Sequence, residues 1–322
     1  MNPETQCARC VLMVRPVSFH ANPLTMDSNA FMKGDLGLSD EQQQDAALEE
    51  FEGLVRALRK AEIEVLIFDD SRTPATPDSI FPNNWVSFHA DGTVVLYPMM
   101  AENRRTERRT DILQALSDSH GFTVSSVIDL SPHETQRHFL EGTGSLVLDR
   151  RSRVAYACLS PRTSLDALGD FAQQLEYDVI AFDALDAHGT PVYHTNVMMA
   201  HGDGFVVICD ESVRDASQRT ALLGKLRKCG QEVISISYRQ MECFAGNMLE
   251  LENLRGDKVL AMSQRACASL GKDQLARLAQ YAELVVAPIN MIEDSAGGSV
   301  RCMLAEIFLP RQTPAVGAAS LR

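Results

Sequence analysis

Leu146-Val-Leu-Asp-Arg-Arg-Ser-Arg-Val154-Ala-Tyr-Ala-Cys158 is two short apolar runs joined by a charged link, and a helical pattern over 164–176 follows it. Apolar runs of this length around a tight polar connection predict a β-hairpin, here leading into a helix. The same order surrounds it. Val86–His89 turns into Thr93–Tyr97 through Ala-Asp-Gly, and Tyr193–Ala200 turns into Phe205–Cys209 through His-Gly-Asp-Gly. Further strand-like runs lie at Val11–Val14, Val65–Phe68, Thr123–Ile128, Glu232–Ile236, Lys258–Met262 and Leu284–Ala287. Helical spacing is clearest in Glu41–Lys60, where Leu48, Phe51, Leu54, Val55 and Leu58 share a face and Asp40 is the expected N-cap. Helices are also expected at 103–118, 212–228 and 272–282. Hairpin, helix, strand therefore recurs about five times, a repeated α/β unit and not a series of simple βαβ crossovers. No low-complexity linker divides the chain. A single domain over 11–310 is expected, with a flexible N-terminus (1–10) and a dispensable tail (311–322).

Composition narrows the function. The chain has 322 residues, 45% of them hydrophobic and 23% charged, with 30 Lys+Arg against 43 Asp+Glu and a net charge of −13. An acidic chain without a basic block suits neither phosphate backbones nor anionic membranes, so no nucleic-acid or membrane partner is expected. Eight irregularly spaced cysteines predict reduced thiols and a cytoplasmic location. There is no apolar run long enough for a signal peptide or a membrane span.

Several motifs fail on spacing. Cys7-Ala-Arg-Cys10 has no second pair, and His133-Glu134 is followed by a histidine at 138, one residue too late for a shared helix face. Gly142-Thr-Gly144 lacks the third glycine of a dinucleotide loop. No metal and no cofactor is expected.

Four segments carry chemistry. Ala296-Gly-Gly-Ser-Val-Arg-Cys302 places a thiol after a glycine pair that lets the backbone turn tightly. His194, in Pro191-Val-Tyr-His-Thr-Asn196, begins a strand after a turn-rich segment. Glu141 lies between an apolar pair and a Gly-rich turn, an odd place for a solvated charge, and an imidazole is its natural partner. Finally, Pro77-Asp78-Ser-Ile-Phe-Pro-Asn83-Asn84-Trp85 precedes the arginine run Asn103-Arg104-Arg105-Thr-Glu-Arg108-Arg109. Positive charge at a helix N-terminus opposes the dipole and hints at an anionic ligand.

Glu141, then His194, then a Gly-Gly-x-x-Arg-Cys302 near the C-terminus resembles the guanidine-modifying enzyme superfamily: arginine deiminases, dimethylarginine dimethylaminohydrolases, amidinotransferases, and arginine or succinylarginine dihydrolases. The resemblance covers about Val14 to Pro310. It implies an α/β fold, a five-bladed pseudo-symmetric propeller of ββαβ units. Val14-Arg-Pro, Phe81-Pro-Asn-Asn-Trp and Asn103-Arg-Arg look most like the citrulline ureidase branch. Carried over, Cys302 attacks the planar carbon of a guanidino or ureido group. His194 protonates the departing amine and then activates water, while Glu141 holds the imidazole or the substrate nitrogens. Asp78 meets the amino-acid end of the substrate; Arg104 and Arg162 are carboxylate clamps, suited by their forked donors. Asn83 belongs to the same binding segment.

The sequence departs from arginine deiminases where two aspartates grip the guanidinium: Asn84 and Asn196 stand there. Leaving a buried cation unpaired costs on the order of 3–5 kcal/mol, whereas an amide matches a neutral ureido group. The expected reaction is hydrolysis of L-citrulline to L-ornithine, CO2 and ammonia through a Cys302 thioester. An arginine deiminase or dihydrolase, an amidinotransferase and a non-enzymatic amino-acid-binding protein stay open as alternatives. The expected partner is a small amino acid, citrulline or arginine-like. A homo-oligomer is equally open.

Overall fold

The computed structural model describes residues 4–33 and 36–311. Strand β1 (Cys10–Arg15) is followed by a helix, Asp40–Lys60, and by β2 (Glu64–Asp69), which pairs with β1 in parallel. The helix buries Phe51, Leu54, Val55 and Leu58 of the predicted face, with Ala47 buried in place of Leu48, which is only half-buried. Its N-cap is Ser39, not Asp40: the Ser39 hydroxyl accepts from the Gln42 backbone N–H while Gln42 reaches back to the Ser39 N–H.

The same hairpin–helix–strand order then repeats. Strands β3 (Val86–Phe88) and β4 (Thr93–Leu96) are antiparallel, and β5 (Ser126–Asp129) joins β4 in parallel. Next come β6 (Val147–Asp149), β7 (Val154–Cys158) and β8 (Asp178–Phe182). They are followed by β9 (Met199–His201), β10 (Phe205–Ile208) and β11 (Glu232–Ser235). β12 (Leu249–Glu252), β13 (Lys258–Ser263) and β14 (Glu283–Ala287) form a fourth such group. The last described strand, β15 (Ala305–Ile307), pairs antiparallel with β1, so this sheet joins early and late segments of the sequence. Five three-stranded sheets result, with the inner strand β9 touching both β6 and β12, and β15 touching β3. No helix among the described residues is long and apolar enough to cross a membrane.

Three expectations need correction. Strands β8, β12 and β15 are absent from the expected runs: β8 is a half-exposed, Asp-led run, β12 alternates Leu with Glu, and β15 has only three residues. Tyr193–Ala200 is not one strand: Thr195–Met198 is a helical turn, and only Met199 onward joins the ladder. Residues 4–10 are not a loose segment. Gln6, Cys7, Ala8 and Cys10 are buried, Glu4 pairs with Arg150 at 2.9 Å, and the Cys7 thiol donates to Glu250 at 3.1 Å. A buried arginine and a buried carboxylate demand these partners, which explains why polar residues so near the terminus are drawn inside. The expected tail lies outside the described residues, Arg311 excepted.

Candidate active site

A short helical turn precedes the first strand of four of the five hairpins, and Asn83, Asn84, Glu141, His194, Asn196 and Cys302 sit in or cap these turns. Asn83 and Asn84 lie in the turn Pro82–Asn84 before β3. Glu141 caps Gly142–Ser145 before β6, His194 caps Thr195–Met198 before β9, and Cys302 lies in Val300–Met303 before β15. Such a turn aims a side chain inward at the end of a rigid strand. Glycine is required in one of them. Gly142 has φ +48°, and a Cβ there would stand 2.2 Å from the Asn83 carbonyl oxygen; one on Gly144 would stand 2.5 Å from Asn84 Nδ2 and 2.7 Å from His194 Nδ1.

The turns meet around a small pocket lined by Cys302, His194, Asn84, Arg104, Arg162 and Asp78 among others. Glu141 Oε2 accepts from His194 Nε2 at 2.8 Å, and both residues are at most 2% exposed. A carboxylate only accepts, so Nε2 carries the proton and Nδ1 keeps its lone pair. Burial lowers the His194 pKa to about 4, against the pull of Glu141 and with help from the Arg162 and Arg104 charges. Burial alone would raise the Glu141 carboxyl, but Arg162, the His194 hydrogen bond and Arg104 overcome it and hold it below its usual range. The resting pair is a neutral imidazole against a carboxylate, which suits proton transfer.

Cys302 Sγ accepts from Asn196 Nδ2 at 3.4 Å and from Asn247 Nδ2 at 3.3 Å. Asn83 stands behind the pocket, tied to Thr143 and Asn84. Asp78 Oδ2 accepts from Asn22 at 2.7 Å, while its buried Oδ1 has no hydrogen-bond partner and belongs to the pocket wall.

The arginines are more engaged than expected. Arg104 forks onto Glu107, at 3.0 and 2.9 Å, and donates to Asn84 Oδ1 at 2.9 Å. Its Nε–Nη2 edge is therefore closed by a carboxylate of the chain itself, so the bidentate face expected of a clamp is already taken. The rest of the arginine run is likewise matched internally, Arg105 and Arg108 by Glu134 and Arg109 by Asp111, not by an external anion. Arg162 differs: it donates to neutral oxygens, Ser28 Oγ at 2.7 Å and Thr25 O at 3.1 Å, and lies 3.5 Å from Glu141. Asn247 was missed. Its signal was available in Ala245-Gly-Asn-Met248, a glycine and a polar residue before an apolar strand, the pattern seen at Glu141.

No curated protein matches this sequence. Among solved structures, the chain is similar to apo ArgZ, an arginine dihydrolase from the ornithine–ammonia cycle in cyanobacteria: 20% identity, TM-score 0.72, covering 94% of this chain and 41% of that one. It thus spans about two fifths of the full-length protein, and 99% of the separate ArgZ N-terminal domain bound to product (21% identity, TM-score 0.70, 94% of this chain). A dimethylarginine dimethylaminohydrolase adduct with S-methyl-L-thiocitrulline matches at 15% identity and TM-score 0.61, covering 93% of this chain and all of that one. At these identities the likeness establishes the fold. Residues 15–309 match one family model over nearly the whole described chain, and the protein belongs to that family, described as N,N dimethylarginine dimethylhydrolase, eukaryotic.

Proposed function

We propose that this protein is a cysteine-dependent hydrolase of an α-amino acid whose side chain ends in a guanidino or ureido group. The observation that carries the reading is one pocket lined by both Cys302 and His194, with Glu141 bonded behind the imidazole. In this reading His194 Nδ1 takes the thiol proton as Sγ bonds to the trigonal carbon. The same proton passes to the departing nitrogen as the C–N bond breaks, releasing the alkylamine and leaving a thioester. His194 then deprotonates water, which attacks the thioester carbon and frees the thiol; carbamate decays to CO2 and ammonia. The unpartnered Asp78 Oδ1 suits an α-ammonium. The neutral acceptors of Arg162 are groups that a substrate carboxylate displaces, so Arg162, and not Arg104, is the proposed clamp. The five sheets are read as blades closing around a pseudo-fivefold axis, with the pocket at one end.

Citrulline is the favoured substrate because amides, Asn84 and Asn196, stand near the reacting centre. A second reading, arginine, is favoured by the solved structures: an ArgZ N-terminal domain is described as bound to substrate and an AgrE variant as bound to L-arginine. The test is product-resolved turnover of citrulline and arginine side by side. Ornithine and ammonia from citrulline support the first reading; arginine consumed with citrulline inert replaces it with the second. Activity surviving Cys302→Ser would remove both.

A further inference from the structure

Four of the five turns before the hairpins hold residues already assigned to the reaction. The fifth, ahead of β12, holds Asn247, which is fully buried. Its Nδ2 donates to the Asn196 backbone oxygen at 2.8 Å and to Cys302 Sγ at 3.3 Å. An amide nitrogen has two hydrogens, and both are spent there. The orientation is forced. Turned over, the side chain would set its own oxygen against a carbonyl oxygen at that short distance, so it is an N–H and not a carbonyl that faces the sulfur. Asn196 adds a second N–H from the other side at 3.4 Å. The two turns are packed backbone to backbone: a Cβ on Gly246 would stand 2.3 Å from the Val197 carbonyl oxygen. Neither donor carries charge.

We infer that Asn247 is a catalytic residue, one half of a fixed, neutral pair of N–H donors that supports the negative charge Cys302 bears as its S–C bond forms and again as it breaks. The inference rests on Cys302 being the nucleophile. It does not depend on which amino acid is the substrate. A sulfur held by two amides needs neither an imidazolium nor a cationic substrate beside it, which fits a pocket whose histidine rests neutral.

The test uses no substrate. Cys302 alkylation by iodoacetamide is followed peptide by peptide in the full chain, which separates it from the seven other cysteines. Losing one hydrogen bond to a charged acceptor predicts a roughly ten- to hundredfold slower reaction in Asn247→Ala at neutral pH. Asn247→Asp, the same shape with a charge, is expected to be slower still and to move the pH profile of alkylation to higher pH. Asn247→Ala alkylated at the parent rate with its fold retained, or an Asn247→Asp profile that does not move, overturns the inference. Should both variants fail to fold, Asn196→Ala removes the other donor without disturbing the Asn247 anchor. The same slowing is expected there, and a parent rate overturns the donor pair. Turnover by Cys302→Ser is measured alongside: if it persists, the nucleophile reading fails, whatever the alkylation rates show.

Discussion

Asn196→Asp is the perturbation that bears hardest on substrate choice, because it exchanges an amide for a carboxylate of the same shape 3.4 Å from the sulfur. Two unit negative charges at that distance repel by about 5 kcal/mol at an effective dielectric of ~20. If that repulsion falls wholly on the attacking thiolate, it is worth roughly three to four powers of ten in rate. A neutral ureido group offers nothing in return. A guanidinium does, since its charge lies against the new carboxylate and offsets much of the repulsion. Citrulline turnover (kcat/KM) should therefore fall on the order of a thousandfold, while arginine turnover falls far less, so that the arginine-to-citrulline ratio rises by about a hundredfold or more. Initial rates of ornithine release from each substrate, with circular dichroism to confirm the fold, measure this. An equal loss on both substrates, or an unchanged citrulline rate, refutes the electrostatic reasoning.

Glu141→Gln should lower kcat by roughly two to four powers of ten, because an amide no longer dictates which ring nitrogen of His194 carries the proton; steady-state kinetics with KM little changed is the expected pattern. Since burial and two arginines lower the His194 pKa to about 4, kcat/KM should hold through pH 6 and decline only toward pH 4. The same shift makes the unfolded chain bind more protons between its ordinary value of ~6.5 and about 4, so the His194 contribution to stability falls as pH drops through that window. Urea denaturation across the window should show a shallower slope in His194→Asn. Glu4→Ala strands the buried Arg150 guanidinium; a loss of about 3–5 kcal/mol in urea unfolding is expected, and an unchanged midpoint would contradict it.

The hairpins were legible because their signals are local. Val86–His89 into Thr93–Tyr97, and Leu146–Leu148 into Val154–Cys158, each carry apolar runs and a turn within a few residues, and the ladders form there. What failed depends on distant partners. Glu4 is buried by Arg150, a contact across most of two blades, and nothing beside it in the sequence announces that. Arg104 is expected from the sequence to clamp a substrate carboxylate, yet Glu107, three residues on, takes its fork. His194 is read as the start of a strand because a turn-rich segment precedes it; the Asn247 side chain and the Gly246 backbone, from beside another sheet, pack against the segment that follows it, and that segment is a helical turn. The trio proposed as catalytic stood out in the sequence for a different reason: a thiol after two glycines, and a carboxylate wedged among apolar residues, conflict with what the surrounding chain would choose for packing alone.

The arrangement of charge also limits how a cation could enter. Glu141 is bonded to His194 and shared with Arg162 at 3.5 Å and Arg104 at 3.9 Å, so its negative charge is already divided among three partners. A guanidinium placed against Cys302 would add a further positive charge beside an imidazole that burial, with help from two arginines, already holds neutral. It would have to draw Glu141 away from the ring or find Asp78, whose unpartnered Oδ1 is the other carboxylate oxygen on the pocket wall. Either choice has a consequence for chemistry: the first loosens the tautomer that proton transfer needs, and the second occupies the group proposed for the α-ammonium. A ureido group asks for neither. It can accept from one amide and donate to another, leaving the His194–Glu141 pair intact while Sγ approaches its carbon. On the proposed reading, a preference for a neutral end would rest on how few uncommitted negative charges the pocket offers, and Glu141→Gln should then penalise arginine more than citrulline.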